Sequence, residues 1–316
     1  MGIHRGLVAL SLSACLAGGC ATSQGGSLTA RFVKTGEPAV DLGGSPPVTI
    51  GSTKRPSKAP PAISPAPVPQ AVNLGTSVES SDRGLSAALI RETVLPTAEN
   101  HLRVAMEYRR LGILDASADR LSRALRKAPR SSDAHEALAR VWRDWGLPDL
   151  GLGPAYRAVY YAPASASAQN TLGTVLESLG RFDMARSAFE RALSLDPAAG
   201  WALNNLCYVE LRLGRLEQAR ARCEAALSLT PNLAAAHNNL ALVLASSGDM
   251  AGARDQFLAA GDSAAASYNL GIVHLADREY ASAADSFEDA IRKRPAFTAA
   301  KERAHAARLR LLTGDK

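Results

Sequence analysis

The 316-residue chain lacks the residue patterns that catalysis needs. It has no glycine-rich phosphate-binding loop and no nucleophile motif. Its histidines are His4, His101, His135, His237, His274 and His305, and none is spaced with a second ligand as a metal site requires. Aromatic residues are scarce, at 5% of the chain, and the basic residues form no continuous stripe interleaved with stacking rings. The net charge of +6 therefore reads as a solvated surface, and a nucleic-acid partner is not expected. The apolar run from Leu7 to Leu16, about ten residues, is too short to cross a bilayer as a helix. What remains is a non-enzymatic protein, expected to need no cofactor and no metal.

What the chain does contain is repetition. Asn204-Asn205-Leu206 returns 34 residues later as Asn238-Asn239-Leu240, and Gly214, Ala219 and Ala226 return as Gly248, Ala253 and Ala260. Each copy has room for two short helices joined by a glycine turn, so the period predicts stacked helical hairpins. Extending the frame aligns Pro129, Pro163, Pro197 and Pro231 at 34-residue steps, and then Pro295, two units on but four residues early. A second position reads Ala124, Ala158, Ala192, Ala226, Ala260 and Ala290; a third reads Ala105, Ala139, Gly173, Cys207, Ala241 and Gly271. Small residues recur because two helices approach to ~8 Å only where their crossing side chains are small.

This pattern resembles the tetratricopeptide repeat (TPR), which places a small residue at repeat position 8, alanine at 20 and 27, and proline at 32. The resemblance covers about two thirds of the chain. It implies an all-α, right-handed solenoid of about six helix-turn-helix repeats over residues 98–297. A capping helix is expected over 82–97, and a C-terminal capping helix and tail over 298–316. Two units depart from the pattern. The fifth is four residues short, with Gly261-Asp262-Ser263 as a tighter turn. The second carries Pro148, Gly151, Gly153 and Pro154. Its second helix is expected to start late, near Pro154, because proline suits a helix N-terminus.

Residues 1–20 read as an export signal, with His4 and Arg5 before the apolar run. They are similar to a bacterial lipoprotein signal, which implies a lipidated cysteine as the mature N-terminus. Cys20 is the expected site; Leu12-Ser13-Ala14-Cys15 is the competing one. Ala21, with no aspartate after Cys20, implies the outer membrane, facing the periplasm. More than one acyl chain gives stable anchoring. Residues 21–81 are rich in Pro, Gly and Ser and are expected to form a disordered linker, since they bury too little apolar surface to offset the entropy of ordering.

Two cysteines remain in the repeats. Cys207 at position 8 and Cys223 at position 24 face each other across one hairpin. They are either a disulfide, which an oxidising compartment permits, or two small buried hydrophobes.

In a stack of this kind the first helices line a groove through positions 2, 5, 9, 12 and 13. In repeats four to six that face includes Trp201, Asn204, Tyr208, Asn238, Leu242, Tyr268 and Ile272, with Asn205, Asn239 and Asn269 beside it. Asparagine both donates and accepts, so it can satisfy the main chain of a bound peptide. In the first two repeats the same positions give Glu99, Met106, Arg109, Arg110, Asp133, Glu136, Arg140, Arg143 and Asp144, so the groove is expected to change from charged to apolar along its length. The groove is expected to bind an extended or amphipathic segment of a partner protein. It has no lysine, unlike the TPR adaptors that grip a terminal carboxylate.

The Asn-Asn-Leu pairs, the short unit ending Tyr268-Asn269-Leu270-Gly271 and the lipobox together resemble the TPR lipoproteins of the Flp (Tad) pilus, the TadD type, and pilotins more broadly. That likeness implies a secretin or pilus-assembly component as partner. A general periplasmic scaffold for envelope or cell-wall assembly, and an adaptor for a periplasmic enzyme complex, stay open beside it.

Overall fold

The computed structural model describes residues 82–313. The signal segment, both candidate lipidation cysteines and the linker lie outside these residues, and so does the end of the C-terminal tail. Among the described residues there are fourteen helices and no strand. A first helix, α1 (Arg83–Val94), precedes six hairpins. These are α2 (Ala98–Arg110) with α3 (Leu114–Lys127), α4 (Ser132–Asp144) with α5 (Pro148–Tyr161), and α6 (Ala166–Ser178) with α7 (Phe182–Leu195). They continue as α8 (Gly200–Arg212) with α9 (Leu216–Leu229), α10 (Ala234–Ser246) with α11 (Met250–Ala260), and α12 (Ser263–Ala276) with α13 (Tyr280–Lys293). A last helix, α14 (Thr298–Thr313), lies against α13. No helix among them is long and apolar enough to cross a membrane.

The turn inside each hairpin needs one residue in the left-handed region, which glycine adopts without steric cost. Gly112, Gly146, Gly180, Gly214 and Gly248 supply it at φ of 75°, 76°, 71°, 73° and 88°. In the last hairpin the same place is held by Arg278 at φ 61°. Helix starts are fixed by side-chain caps: Asp82, Thr97, Ser131 and Ser165 each accept a backbone N–H in the first turn of α1, α2, α4 and α6. Asp262 makes the shortened fifth unit possible. It ends the turn after α11 by accepting from both Ala264 and Ala265, at 2.9 Å each, and pairs with Arg294. Consecutive hairpins are tied by histidine: His135 donates Nε2–H to the Pro129 carbonyl at 2.9 Å, and His237 does the same to Pro231 at 2.8 Å.

The interior of each hairpin is a size match between positions 8 and 24. Gly173 lies under Phe189 and Gly271 under Phe287; a Cβ on either glycine would come within 2.4 or 2.6 Å of the ring. In the fourth hairpin the slot is filled by a disulfide between Cys207 and Cys223, with Cα atoms 5.2 Å apart and both residues fully buried. Position 20 sits on the carbonyl of position 8. A Cβ on Gly151 would lie 2.9 Å from the Ala139 oxygen, whereas Ser117 donates its hydroxyl to the Ala105 oxygen at 2.7 Å.

The second unit corrects one expectation. Its second helix starts at Pro148, not near Pro154, and Pro154 lies inside it. Pro148 occupies the first turn, where a missing N–H costs nothing. Pro154 forfeits one bond to the Leu150 carbonyl, and Gly153 before it has no Cβ to clash with the pyrrolidine ring.

The N-terminal end is held by charge. Glu92 of α1, 7% exposed, meets the His101 ring and lies 3.4 Å from Arg120. At the other end α14 buries Ala300, Ala304 and Ala307 and leaves Leu309, Leu311 and Leu312 exposed.

Candidate protein-binding groove

Besides its own hairpin partner, each of α2, α4, α6 and α8 touches the first helix of the next hairpin. The first helices therefore form one continuous face from α2 to α10. The expected apolar stretch of that face is narrower than its sequence positions imply. Trp201 is 39% exposed. Asn204, Asn205, Tyr208, Asn238, Asn239 and Leu242 are half-buried. Tyr268 is half-buried too, but its ring packs on Phe287 at 5.4 Å and Phe297 at 4.9 Å. Ile272 and Leu275 join the same cluster, with Ala304 and Ala307 of α14. Asn269 is 3% exposed. The structure thus leaves Trp201, Tyr208 and Leu242 on the α8 and α10 part of the face with the asparagines, turns Tyr268 and Ile272 towards the C-terminal core, and buries Asn269 beside Asn238 of α10.

The asparagines are not idle. Asn205 Nδ2 donates to Asn170 Oδ1 at 2.7 Å, and Asn239 Nδ2 donates to Asn204 Oδ1 at 3.0 Å. Asn204 donates in turn to Asn205 at 3.4 Å, and Asn269 to Asn238 at 3.4 Å. A ladder of amides links α6, α8, α10 and α12. Each amide has a carbonyl and two N–H groups, so several groups stay open for a ligand. Sequence reading found the asparagines of α8, α10 and α12 but not Asn170, the end of the ladder, nor the ladder itself.

Between the charged and apolar parts stands Glu177 of α6. Burial pushes its carboxyl above the usual carboxylate range, and the Arg143 and Arg212 guanidiniums partly oppose that. Arg212 lies 4.5 Å from the centre of the Phe182 ring and donates to the Tyr208 hydroxyl at 2.8 Å. Burial also raises the Tyr208 phenol.

Towards α2 the face becomes polar, as the charged positions predict. Arg140 of α4 reaches Glu136, Ser167 and Thr171, and Glu136, 7% exposed, also accepts from the hydroxyls of Ser167 at 2.5 Å and Thr171 at 3.1 Å. Arg143 donates to Thr174 at 2.8 Å, and Arg109 pairs with Asp144 at 2.7 Å. A cavity of about 320 Å³ opens here, lined from α2, α3, α4 and α6. Nothing in the sequence pattern singled it out, because it depends on side chains from four helices.

The tetratricopeptide repeat family profile matches residues 152–199, 170–234, 205–266, 259–298 and 268–315, together more than half of the chain. The chain belongs to the tetratricopeptide repeat family. No curated protein matches it at a significant level. Three solved TPR structures illustrate the likeness. PilF of Pseudomonas aeruginosa has 22% identity over 70% of this chain and 98% of its own, with a TM-score of 0.52. PilW, described as a widely conserved type IV pilus biogenesis factor, has 19% identity over 63% of this chain and 94% of its own, at 0.55. Cut9, in an APC/C hetero-tetramer with Hcn1, has 17% identity over 72% of this chain and 46% of its own, at 0.59. At these identities the likeness is one of fold. A TPR stack is a protein-interaction scaffold whose partner is set by the side chains of its own face.

Proposed function

We propose that the protein is a lipid-anchored TPR scaffold of the bacterial outer membrane. It faces the periplasm and its groove holds a peptide segment of an envelope partner, in the assembly of a Flp/Tad-type pilus or its secretin. The observation that carries the binding role is the asparagine ladder beside an exposed Trp201 and a half-buried Tyr208 and Leu242. Open amide groups can bond an extended main chain, and tryptophan and tyrosine are enriched among the hot spots of protein interfaces, which contribute about 2 kcal/mol or more each. The fold shared with PilF and PilW agrees with a pilus role. The anchor rests on the sequence around Cys20, which is outside the described residues.

The test is photo-crosslinking in the producing cell from a reactive residue placed at Trp201. A single envelope protein should be captured, and capture should fall at least tenfold with Tyr208→Ala. Arg126→Ala, on the second helix α3, should change little. Capture that ignores Tyr208→Ala would place the binding surface elsewhere. Cys20→Ser should release the protein from membranes; release by Cys15→Ser alone would move the anchor, and release by neither would remove it.

A further inference from the structure

The cavity at the α2 end of the face has a specific chemistry. Its floor is apolar, formed by Leu102, Ala105, Leu121, Ala137 and Val141, and Met106 stands at its wall, 56% exposed. Four charged groups line it. Arg109 is paired with Asp144, and Arg140 and Glu136 are paired with each other and with Ser167 and Thr171. Asp133 is different. It is exposed and makes no ion pair or side-chain hydrogen bond with any described residue. It stands in the first turn of α4. The cavity therefore offers an aliphatic floor and one uncommitted negative charge at the wall, while both of its cations are already satisfied.

Resting on the groove reading above, we infer that this cavity receives a lysine or arginine side chain of the bound segment. The methylene stem lies on Leu102, Val141 and Met106, and the cationic head meets Asp133. A long charged side chain is suited to this division, since its stem is apolar and its head is not. The volume of about 320 Å³ is near the lower end of ligand pockets, roughly 300–1,000 Å³. It has room for one such side chain with its adjoining main chain. The cavity and Trp201 are separated by two steps of the stack, from α4 to α8, at about 8–10 Å each. An extended chain rises about 3.4 Å per residue. The bound segment accordingly carries its basic residue roughly five positions from the apolar residue that meets Trp201.

The test uses the full chain labelled with ¹³C-methyl methionine, so that Met106 reports on the cavity and Met184, on α7, serves as an internal control. The probe is Nα-acetyl-lysine amide. It should shift the Met106 methyl resonance saturably and leave Met184 in place. Asp133→Asn should weaken the response at least tenfold with the other methyl signals unchanged, and added salt should weaken it further. Nα-acetyl-norleucine amide, with the same stem and no charge, should bind at least tenfold more weakly. Equal response to norleucine overturns the charge recognition. Preference for Nα-acetyl-glutamate amide makes the cavity an anion site on Arg109 and Arg140 and overturns the proposal, as does a silent Met106. Crosslinking from Trp201 that persists while Met106 is silent removes the pocket and leaves the groove reading intact. A Met106 response with no crosslink from Trp201 supports the pocket and removes the groove reading.

Discussion

Asn239 on α10 donates its side-chain amide to the side-chain oxygen of Asn204 on α8, 3.0 Å away. The bond joins two hairpins, so the residue pair that marks the repeat in the sequence also stitches the repeats together. Asn204 is the junction of the ladder, since it accepts from Asn239 and donates to Asn205. Asn204→Ala leaves a half-buried donor and acceptor with no partner and is expected to cost about 1–2 kcal/mol. Asn238→Ala takes the acceptor away from the Asn269 amide, which is 3% exposed, and should cost at least as much, about 1–3 kcal/mol. Thermal melts of the two variants beside the wild type check this; melting points unchanged from the wild type would show that the ladder adds nothing to stability.

The disulfide and the glycine–phenylalanine wedge fill the same slot. Replacing Cys207 with Gly and Cys223 with Phe together rebuilds the arrangement seen at Gly173 and Phe189. That double variant should fold, and its denaturation midpoint should not respond to reductant. The wild type should lose about 3 kcal/mol on reduction, as expected for a closed loop of about 15 residues. Cys207→Gly alone leaves the slot half empty and should be the least stable of the three. A wild-type midpoint that ignores reductant would show that the two thiols are not bridged.

Arg278 holds a left-handed backbone conformation that glycine holds in the other five hairpins. A side chain there costs roughly 1–2 kcal/mol against the folded state. Arg278→Gly should recover about half of that, because glycine also gains freedom in the unfolded chain. A rise of about 0.5–1 kcal/mol in denaturant unfolding is expected; a fall would mean that the arginine side chain makes up for the strain.

Glu177 gives the groove a pH signature. Its folded-state pKa lies above the unfolded value, mainly through burial. As pH falls, the native state takes up this proton first. The ionised carboxylate therefore costs stability above the folded pKa, and the cost vanishes below the unfolded value of about 4.5. Glu177→Gln should raise stability at pH 7 and make no difference near pH 4. A gain that persisted unchanged at pH 4 would assign the effect to packing and not to charge.

The stack itself was legible because its constraints are local and periodic. A glycine every 34 residues is required by one backbone angle, and a small residue at position 8 by one close approach, so each leaves a mark at a fixed place. Pro154 misled because its cost depends on its neighbours. With Gly153 before it and Pro148 to begin the helix, one lost hydrogen bond is tolerated where a boundary was expected. The candidate groove was legible only in part for a similar reason. Repeat position says which way a side chain leaves its helix but not what stands opposite. At Tyr268 and Ile272 what stands opposite is the terminal cluster that includes residues of α14, which takes the place a seventh repeat would have given to open groove. The ladder, the Glu136 network and the cavity arise between repeats. They needed the relative placement of helices that no single repeat encodes.

The cross-link in the fourth hairpin also bears on force. Pulled from its two ends, a stack of hairpins lengthens as each one peels open and its residues straighten. The segment from Cys207 to Cys223 cannot straighten while the bridge is intact. At about 3.3 Å per residue, this withholds roughly 50 Å of extension. In a single-molecule pulling experiment the protein would thus reach full length shorter by that amount in oxidant than in reductant, with the missing length lying between the three hairpins before it and the two after it. A tether built this way has a stop in its middle.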